Sequence, residues 1–289
     1  MARTSRGKRY EEPKLNIKKV IAVILAIVVL IMSIFVVKGI FDKSKDEGRI
    51  TSKSYFAAYK DNKWGVIDET GSYVIDPAYA EMIVVPNSKN DVFICTYDVD
   101  YEEGTYKTKA LNSKNEEIFT NYEQIEAIQN MDKNNNAWYE ENVLRVKKDG
   151  KYGTINLSGK ELLPFEYDQI TAQPGVKNSL KIVKDDKAGI ADNEGKIIIE
   201  PQYQDIEDLG KDNKDGFIVK NEDGKFGIVD FSNNQVLEAK YDGVTTVYGS
   251  DLYVVMQGNK QLLVKKDGTE VLSKGYDEIT EILKNAENG

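Results

Sequence analysis

Lys63-Trp64-Gly65-Val66-Ile67-Asp68 decides the fold of this chain, because the stretch recurs. It returns as Lys151-Tyr152-Gly153-Thr154-Ile155-Asn156, as Lys187-Ala188-Gly189-Ile190-Ala191-Asp192 and as Lys225-Phe226-Gly227-Ile228-Val229-Asp230. In all four copies a tyrosine stands fourteen residues after the glycine: Tyr79, Tyr167, Tyr203 and Tyr241. A further copy, Lys260-Gln261-Leu262-Leu263-Val264, keeps the frame without the glycine and reaches Tyr276. A degenerate copy runs from Lys107 to Tyr122. The six tyrosines recur with a period of 35 to 45 residues, which signals stacked supersecondary units.

Each unit reads as β structure. Asp61-Asn62, Asp149-Gly150, Asp223-Gly224 and Gly258-Asn259 precede the motif, and these residue types accept the positive φ of two-residue hairpins. A second turn ends at Gly71, Gly159, Gly195 and Gly268. Trp64 and Val66 face one way and Gly65 and Ile67 the other, so the strand is expected to be covered on both faces, with Trp64 buried. The mid-strand glycine is expected to admit close approach by a neighbouring unit, such as an aromatic ring. Pro77, Pro164 and Pro201 are expected to end their strands just before the tyrosine.

These residues resemble the WG (KWG) repeat family of short bacterial β repeats, over about residues 55–283. Lys63-Trp64-Gly65-Val66-Ile67-Asp68 is a close match; Tyr152, Ala188 and Phe226 replace the tryptophan in later copies. The resemblance implies no enzymatic activity and no catalytic residues. It implies a binding or scaffolding module on a bacterial cell surface. The repeat-structural residues are Trp64, Gly65, Tyr79, Tyr152, Gly153, Tyr167, Gly189, Tyr203, Phe226, Gly227, Tyr241 and Tyr276.

Six units of three or four antiparallel strands must cover each other's faces. A ring of blades, the β-propeller, does so with only short edges. An open β-solenoid is the alternative. The expected fold is an all-β, propeller-like repeat domain, with the strand at 55–60 and a late strand at 276–283 meeting to close the ring.

Residues 20–37 carry no charge: VIAVILAIVVLIMSIFVV. As a helix they span about 27 Å, close to the hydrocarbon thickness of a bilayer. Residues 1–19 carry seven basic and two acidic side chains, a net +5, so the remainder of the chain holds −14 of the total −9. The positive-inside rule then places the N-terminus in the cytoplasm and the repeats outside the cell membrane. The expected organisation is a cytoplasmic basic tail at 1–19, a single-pass transmembrane helix at 20–41, a stalk at 42–54, a repeat domain at 55–284 and a frayed tail at 285–289. An acidic repeat domain argues against nucleic acid as a partner.

The chain has no histidine, which removes the commonest general base and metal ligand. Its one cysteine, Cys95, lies in the apolar run Phe93-Ile94-Cys95 and reads as a buried strand residue. No cofactor or metal site is expected. Asp132-Lys133-Asn134-Asn135-Asn136 begins like a calcium loop, but Ala137 replaces the glycine and Val143 the closing glutamate, so it reads as a solvated loop. The lysine column Lys63, Lys107, Lys151, Lys187, Lys225 and Lys260 reads as edge lysines rather than as a ring for an anionic polymer. The acids at the repeat turns read as turn and rim residues.

The irregular segments 98–107 and 130–141 are read as loops between units. Loops on a rigid scaffold concentrate binding residues, and Tyr101, Tyr106, Trp138 and Tyr139 are aromatics that anchor interfaces. They are the expected partner-binding residues. The expected function is a non-catalytic, membrane-anchored extracellular binding or scaffolding module, with a cell-wall polymer or another surface protein as partner. An extracellular membrane-bound glycoside hydrolase on a β-propeller is the alternative.

Overall fold

The computed structural model describes residues 55–280 apart from 88–89, 133, 210–215, 248–251 and 272–273. The apolar run 20–37, its basic flank, the stalk and the tail at 285–289 lie outside the described residues. The described residues form one compact unit of β strands, with no helix among them.

Six antiparallel sheets follow one another along the chain. The first holds β1 (Phe56–Lys60), β2 (Lys63–Ile67) and β3 (Tyr73–Tyr79). The second holds β4 (Phe93–Asp100), β5 (Thr105–Leu111) and β6 (Glu117–Ile118). The third holds β7 (Gln124–Met131), β8 (Ala137–Lys148), β9 (Lys151–Ile155) and β10 (Glu161–Tyr167). The fourth holds β11 (Gln169–Ala172), β12 (Ser179–Lys184), β13 (Lys187–Asp192) and β14 (Ile197–Tyr203). The fifth holds β15 (Asp205–Asp208), β16 (Phe217–Lys220), β17 (Phe226–Val229) and β18 (Gln235–Tyr241). The sixth holds β19 (Gly243–Thr246), β20 (Leu252–Gln257) and β21 (Lys260–Lys265). In every sheet consecutive strands are neighbours, a plain meander.

Turn chemistry builds the meander. The hairpin into the motif strand carries positive φ at both central residues, 50° and 59° at Asp61-Asn62 and 51° and 78° at Asp149-Gly150. The next turn is set by the acid or amide that closes the motif. Asp68 Oδ1 accepts the backbone N–H of Thr70 and of Ser72, and Asn156, Asp192 and Asp230 repeat the same pair of bonds in their own units. These repeated acids are therefore turn-formers.

The motif glycine answers to its own sheet and not to a neighbouring unit. A Cβ on Gly65 would lie 2.6 Å from the Ile75 carbonyl oxygen and 2.7 Å from the Pro77 nitrogen, and one on Gly189 would lie 2.4 Å from the Ile199 oxygen. The cause is a bulge: Trp64 pairs with Tyr79 and Val66 with Ile75, so three residues of β3 oppose one of β2 and their backbone folds over the glycine. Pro77, Pro164 and Pro201 lie within the edge strands at or beside this bulge, where a missing N–H costs no ladder bond, and do not end them. Trp64 is half-buried, its ring tilted against that of Tyr59 with centroids 4.8 Å apart, whereas Val66 and Ile75 are buried.

Five apolar clusters join the six sheets in chain order. Phe93 of the second sheet packs with Ile75 and Tyr79 of the first, and Leu144 of the third with Ile94 and Ala110 of the second. Leu180 packs with Leu163 and Tyr167, Phe217 with Ile190 and Ile199, and Tyr253 with Leu237 and Tyr241. Cys95 is buried in the first of these clusters. Tyr276 makes a bridge to Gln261 of its own sheet, and β1 pairs with β2; no pairing of β1 with 276–280 occurs among the described residues.

Candidate functional site

The second sheet and the long first hairpin of the third depart from the repeat, and the departure makes the site. Residues 98–107 and 130–141 are not loops between units. They are the outer ends of long hairpins, β4–β5 and β7–β8, paired as far as Asp100–Thr105 and Met131–Ala137. The tip between Met131 and Ala137 is held by Asp132, whose Oδ1 accepts the N–H of Asn134 and of Asn136.

Between these hairpins and the fourth sheet lies a cleft of about 510 Å³. Glu81, Tyr106, Glu126, Tyr139, Arg145 and Thr171 supply its polar wall, and Val84, Ile94 and Ile128 its apolar floor. Arg145 is the single arginine beyond residue 49. Its Nε donates to Glu126 Oε2 at 2.9 Å, its second amine reaches the same oxygen, and Nη1 donates to the Ile170 carbonyl at 2.8 Å. The other Glu126 oxygen accepts from Tyr106 at 2.8 Å and from Gln124 at 2.7 Å. Glu126 is buried, and this ring of donors satisfies a charge that would otherwise be costly there. The hydrogen bond to Glu126 pushes the Tyr106 phenol up, with burial adding to it.

A second cavity of about 260 Å³ adjoins it, lined by Trp138, Tyr139, Glu140, Glu141, Lys177 and Asn178. Tyr139 lines both cavities, and burial pushes its phenol up. Glu140, in the wall of the second cavity, is 1% exposed. It accepts from Asn130 Nδ2 at 2.7 Å, Trp138 Nε1 at 3.2 Å, Asn178 N at 2.9 Å and Asn193 Nδ2 at 2.9 Å. Lys177 sits 5.9 Å over the Trp138 ring.

The four aromatics named from the sequence thus converge. Tyr106 and Tyr139 line the first cavity, Trp138 and Tyr139 the second, and Tyr101, 73% exposed, donates to Glu81 of the first at 2.7 Å. Sequence reasoning missed Glu81, Glu126, Glu140 and Arg145. A lone arginine in a repeat domain rich in lysine was the available signal, because a guanidinium suits a buried carboxylate better than an ammonium does.

The lysine column is paired in five units: Lys107 with Asp98 at 3.0 Å, Lys187 with Glu222 at 2.5 Å, Lys225 with Asp242 at 2.5 Å, Lys151 with Asp168, and Lys260 with Asp277. In the first unit Ala80 occupies the place of the acid. Neutralised lysines offer little field to an anionic polymer.

A family model described as WG containing repeat matches residues 64–85, 152–172, 189–225 and 226–260. No curated protein matches the chain. Among solved structures, one titled as a crystal structure of the eukaryotic initiation factor is similar at 13% identity and a TM-score of 0.33, over 76% of this chain and 84% of that one. PorZ, described as an essential bacterial surface component of the type-IX secretion system of Porphyromonas gingivalis, is similar at 12% identity and a TM-score of 0.29, over 81% of this chain and 31% of that one. At those scores neither likeness carries an argument about this chain.

Proposed function

This chain is a WG-repeat protein, and from that premise we propose that it is a non-catalytic binding or scaffolding module whose site is the double cavity on its second to fourth sheets. Its six meanders are propeller-like blades, packed face on face by the five clusters. Residues 20–37 anchor it in the cell membrane by a single pass, the basic N-terminus in the cytoplasm and the repeats outside. Its partner is a cell-wall polymer or another surface protein.

One observation carries the reading. The regular hairpins bury their strands in one another, while the two long hairpins bring Tyr106, Trp138 and Tyr139 to adjoining cavities and Tyr101 onto Glu81 at the edge of the first. Tyrosine and tryptophan faces beside hydroxyl and carboxylate groups suit a sugar ring or a partner's side chain equally well.

Glu81 and Glu126 share the cleft, which is what favours the glycoside hydrolase alternative. Against it, both oxygens of Glu126 are already taken up by Arg145, Tyr106 and Gln124. A carboxylate held in this way supports the wall of a cleft.

The test is a photo-crosslinking amino acid placed at Tyr139 in the full chain on intact cells, with the exposed Glu238 of the fifth sheet as control position. An adduct to protein or glycan at Tyr139 and none at Glu238 supports the site. Equal labelling at both positions, or none at Tyr139, sinks it.

A further inference from the structure

Phe56 is exposed at a position that every other unit buries, and Tyr276 at one that units one, three and five bury and units two and four half-bury. Phe56 pairs with Ile67, the fourth residue after Lys63. The residues with the equivalent pairing are Phe93, Leu144, Leu180, Phe217 and Tyr253. Four of these are 0% exposed and Tyr253 is 1% exposed, each pressed on the sheet before it. Phe56 is 51% exposed. At the other end, the tyrosines that close units one, three and five are buried under the sheet that follows, at 8%, 4% and 3%. Tyr276 closes the sixth unit and is 49% exposed.

The first sheet also lacks a strand. In the third to sixth sheets the first strand begins two residues after a unit-closing tyrosine, and its register is constant. Gln124 pairs with Lys147, Gln169 with Val183, Asp205 with Lys220 and Gly243 with Met256, each opposite the residue that pairs with the motif's second position. β1 has no such partner among the described residues, and Tyr59 holds the matching place beside Trp64. The segment after Tyr276 has the required pattern: Asp277-Glu278-Ile279-Thr280 aligns with Asp168-Gln169-Ile170-Thr171. Ile170 is buried, whereas Ile279 is only half-buried.

We infer that these two ends are the halves of one standard inter-unit interface, and that a second copy of this chain supplies the missing half. Glu278 pairs with Tyr59 of the second copy, Ile279 with Ala58 and Thr280 with Ala57, while Tyr276 packs on Phe56. The occupant is a second copy because both halves lie on the surface of a single chain: Tyr276 is bonded to Gln261 of its own sheet at 2.7 and 2.9 Å, and Asp277 is paired with Lys260. The contact joins one end to the other, so it is heterologous and each copy can take part in two. An exposed edge with large aromatics beside it is what strand addition requires.

The experiment uses two full chains with different tags, one carrying Ala57→Cys and one Thr280→Cys, co-expressed and oxidised. Both positions are exposed, and the native Cys95 is buried. The expected result is a disulfide-linked dimer that contains both tags and falls at least tenfold when Phe56→Lys is added to the first chain, with its melting temperature unchanged. A double Ala57→Cys, Thr280→Cys chain that closes only on itself would show the ends meeting within one molecule and overturn the proposal. Absence of any mixed dimer overturns it as well.

Discussion

Asn193 of the fourth sheet donates its amide to the buried Glu140 of the third at 2.9 Å, and so ties two units through a polar contact rather than an apolar one. Glu140→Ala leaves the donors of Asn130, Trp138, Asn178 and Asn193 without their common acceptor. Charge-assisted bonds of this kind are each worth roughly 1.5–3 kcal/mol, and the expected loss is about 3 kcal/mol in urea unfolding. Trp138→Ser also lowers the midpoint, because the indole is part of this network. Tyr101→Ser leaves it unchanged, its ring being exposed. A Glu140→Ala protein as stable as the parent would show that the network is not structural.

Phe93 and Phe56 occupy the same place in successive units, one at 0% and the other at 51% exposure. Phe93→Ala is expected to cost about 3–5 kcal/mol, the range for a buried aromatic. Phe56→Ala in dilute monomer costs about 1 kcal/mol or less, since most of its transfer energy was never gained. Trp64→Ala falls between them. Chemical denaturation of the three variants reads the order directly.

Two glycines separate close approach from backbone conformation. Gly189→Ala drives a methyl to 2.4 Å from the Ile199 carbonyl and must displace backbone, at an expected cost of about 3 kcal/mol. Gly150→Ala meets no atom within 4 Å but sits at φ +78°, which costs about 1–2 kcal/mol. Equal losses would mean that the bulge over the motif glycine yields easily.

Burial pushes the Cys95 thiol up to about 12, and burial together with the bond to Asp91 does the same for the Tyr55 phenol. Both groups release protons more readily unfolded, from about 8.5 and 10 respectively. Their contribution to stability is therefore complete below those values and is lost as pH rises through them toward 12. Cys95→Ala should flatten the alkaline limb of the stability curve. In the native protein a thiol reagent at pH 8 should label Cys95 no faster than the chain opens.

Protease added to intact cells should remove the repeats and spare the basic tail, given the charge on either side of residues 20–37. Immunoblotting with tags at each end distinguishes the fragments. Full protection of the repeats in unbroken cells reverses the proposed topology.

The local grammar of this protein was written in its sequence. Asp61-Asn62, Asp149-Gly150 and the acid or amide closing each motif specify their turns through bonds to residues two to four positions away, so no distant neighbour is needed to predict them. The spacing from glycine to tyrosine counts one hairpin and its bulge; four such counts, with two further copies of the frame that lack the glycine, match six sheets. The role of the glycine is not legible in the sequence, because a bulge arises from register between strands and leaves no composition of its own. Only the tertiary structure brought Tyr106 of one sheet to Glu126 of the next, buried Glu140 behind Trp138, and left Phe56 bare where Phe93 is covered. Those outcomes depend on which face of a sheet meets another sheet, and identical local sequence patterns carry no record of whether a neighbour is there.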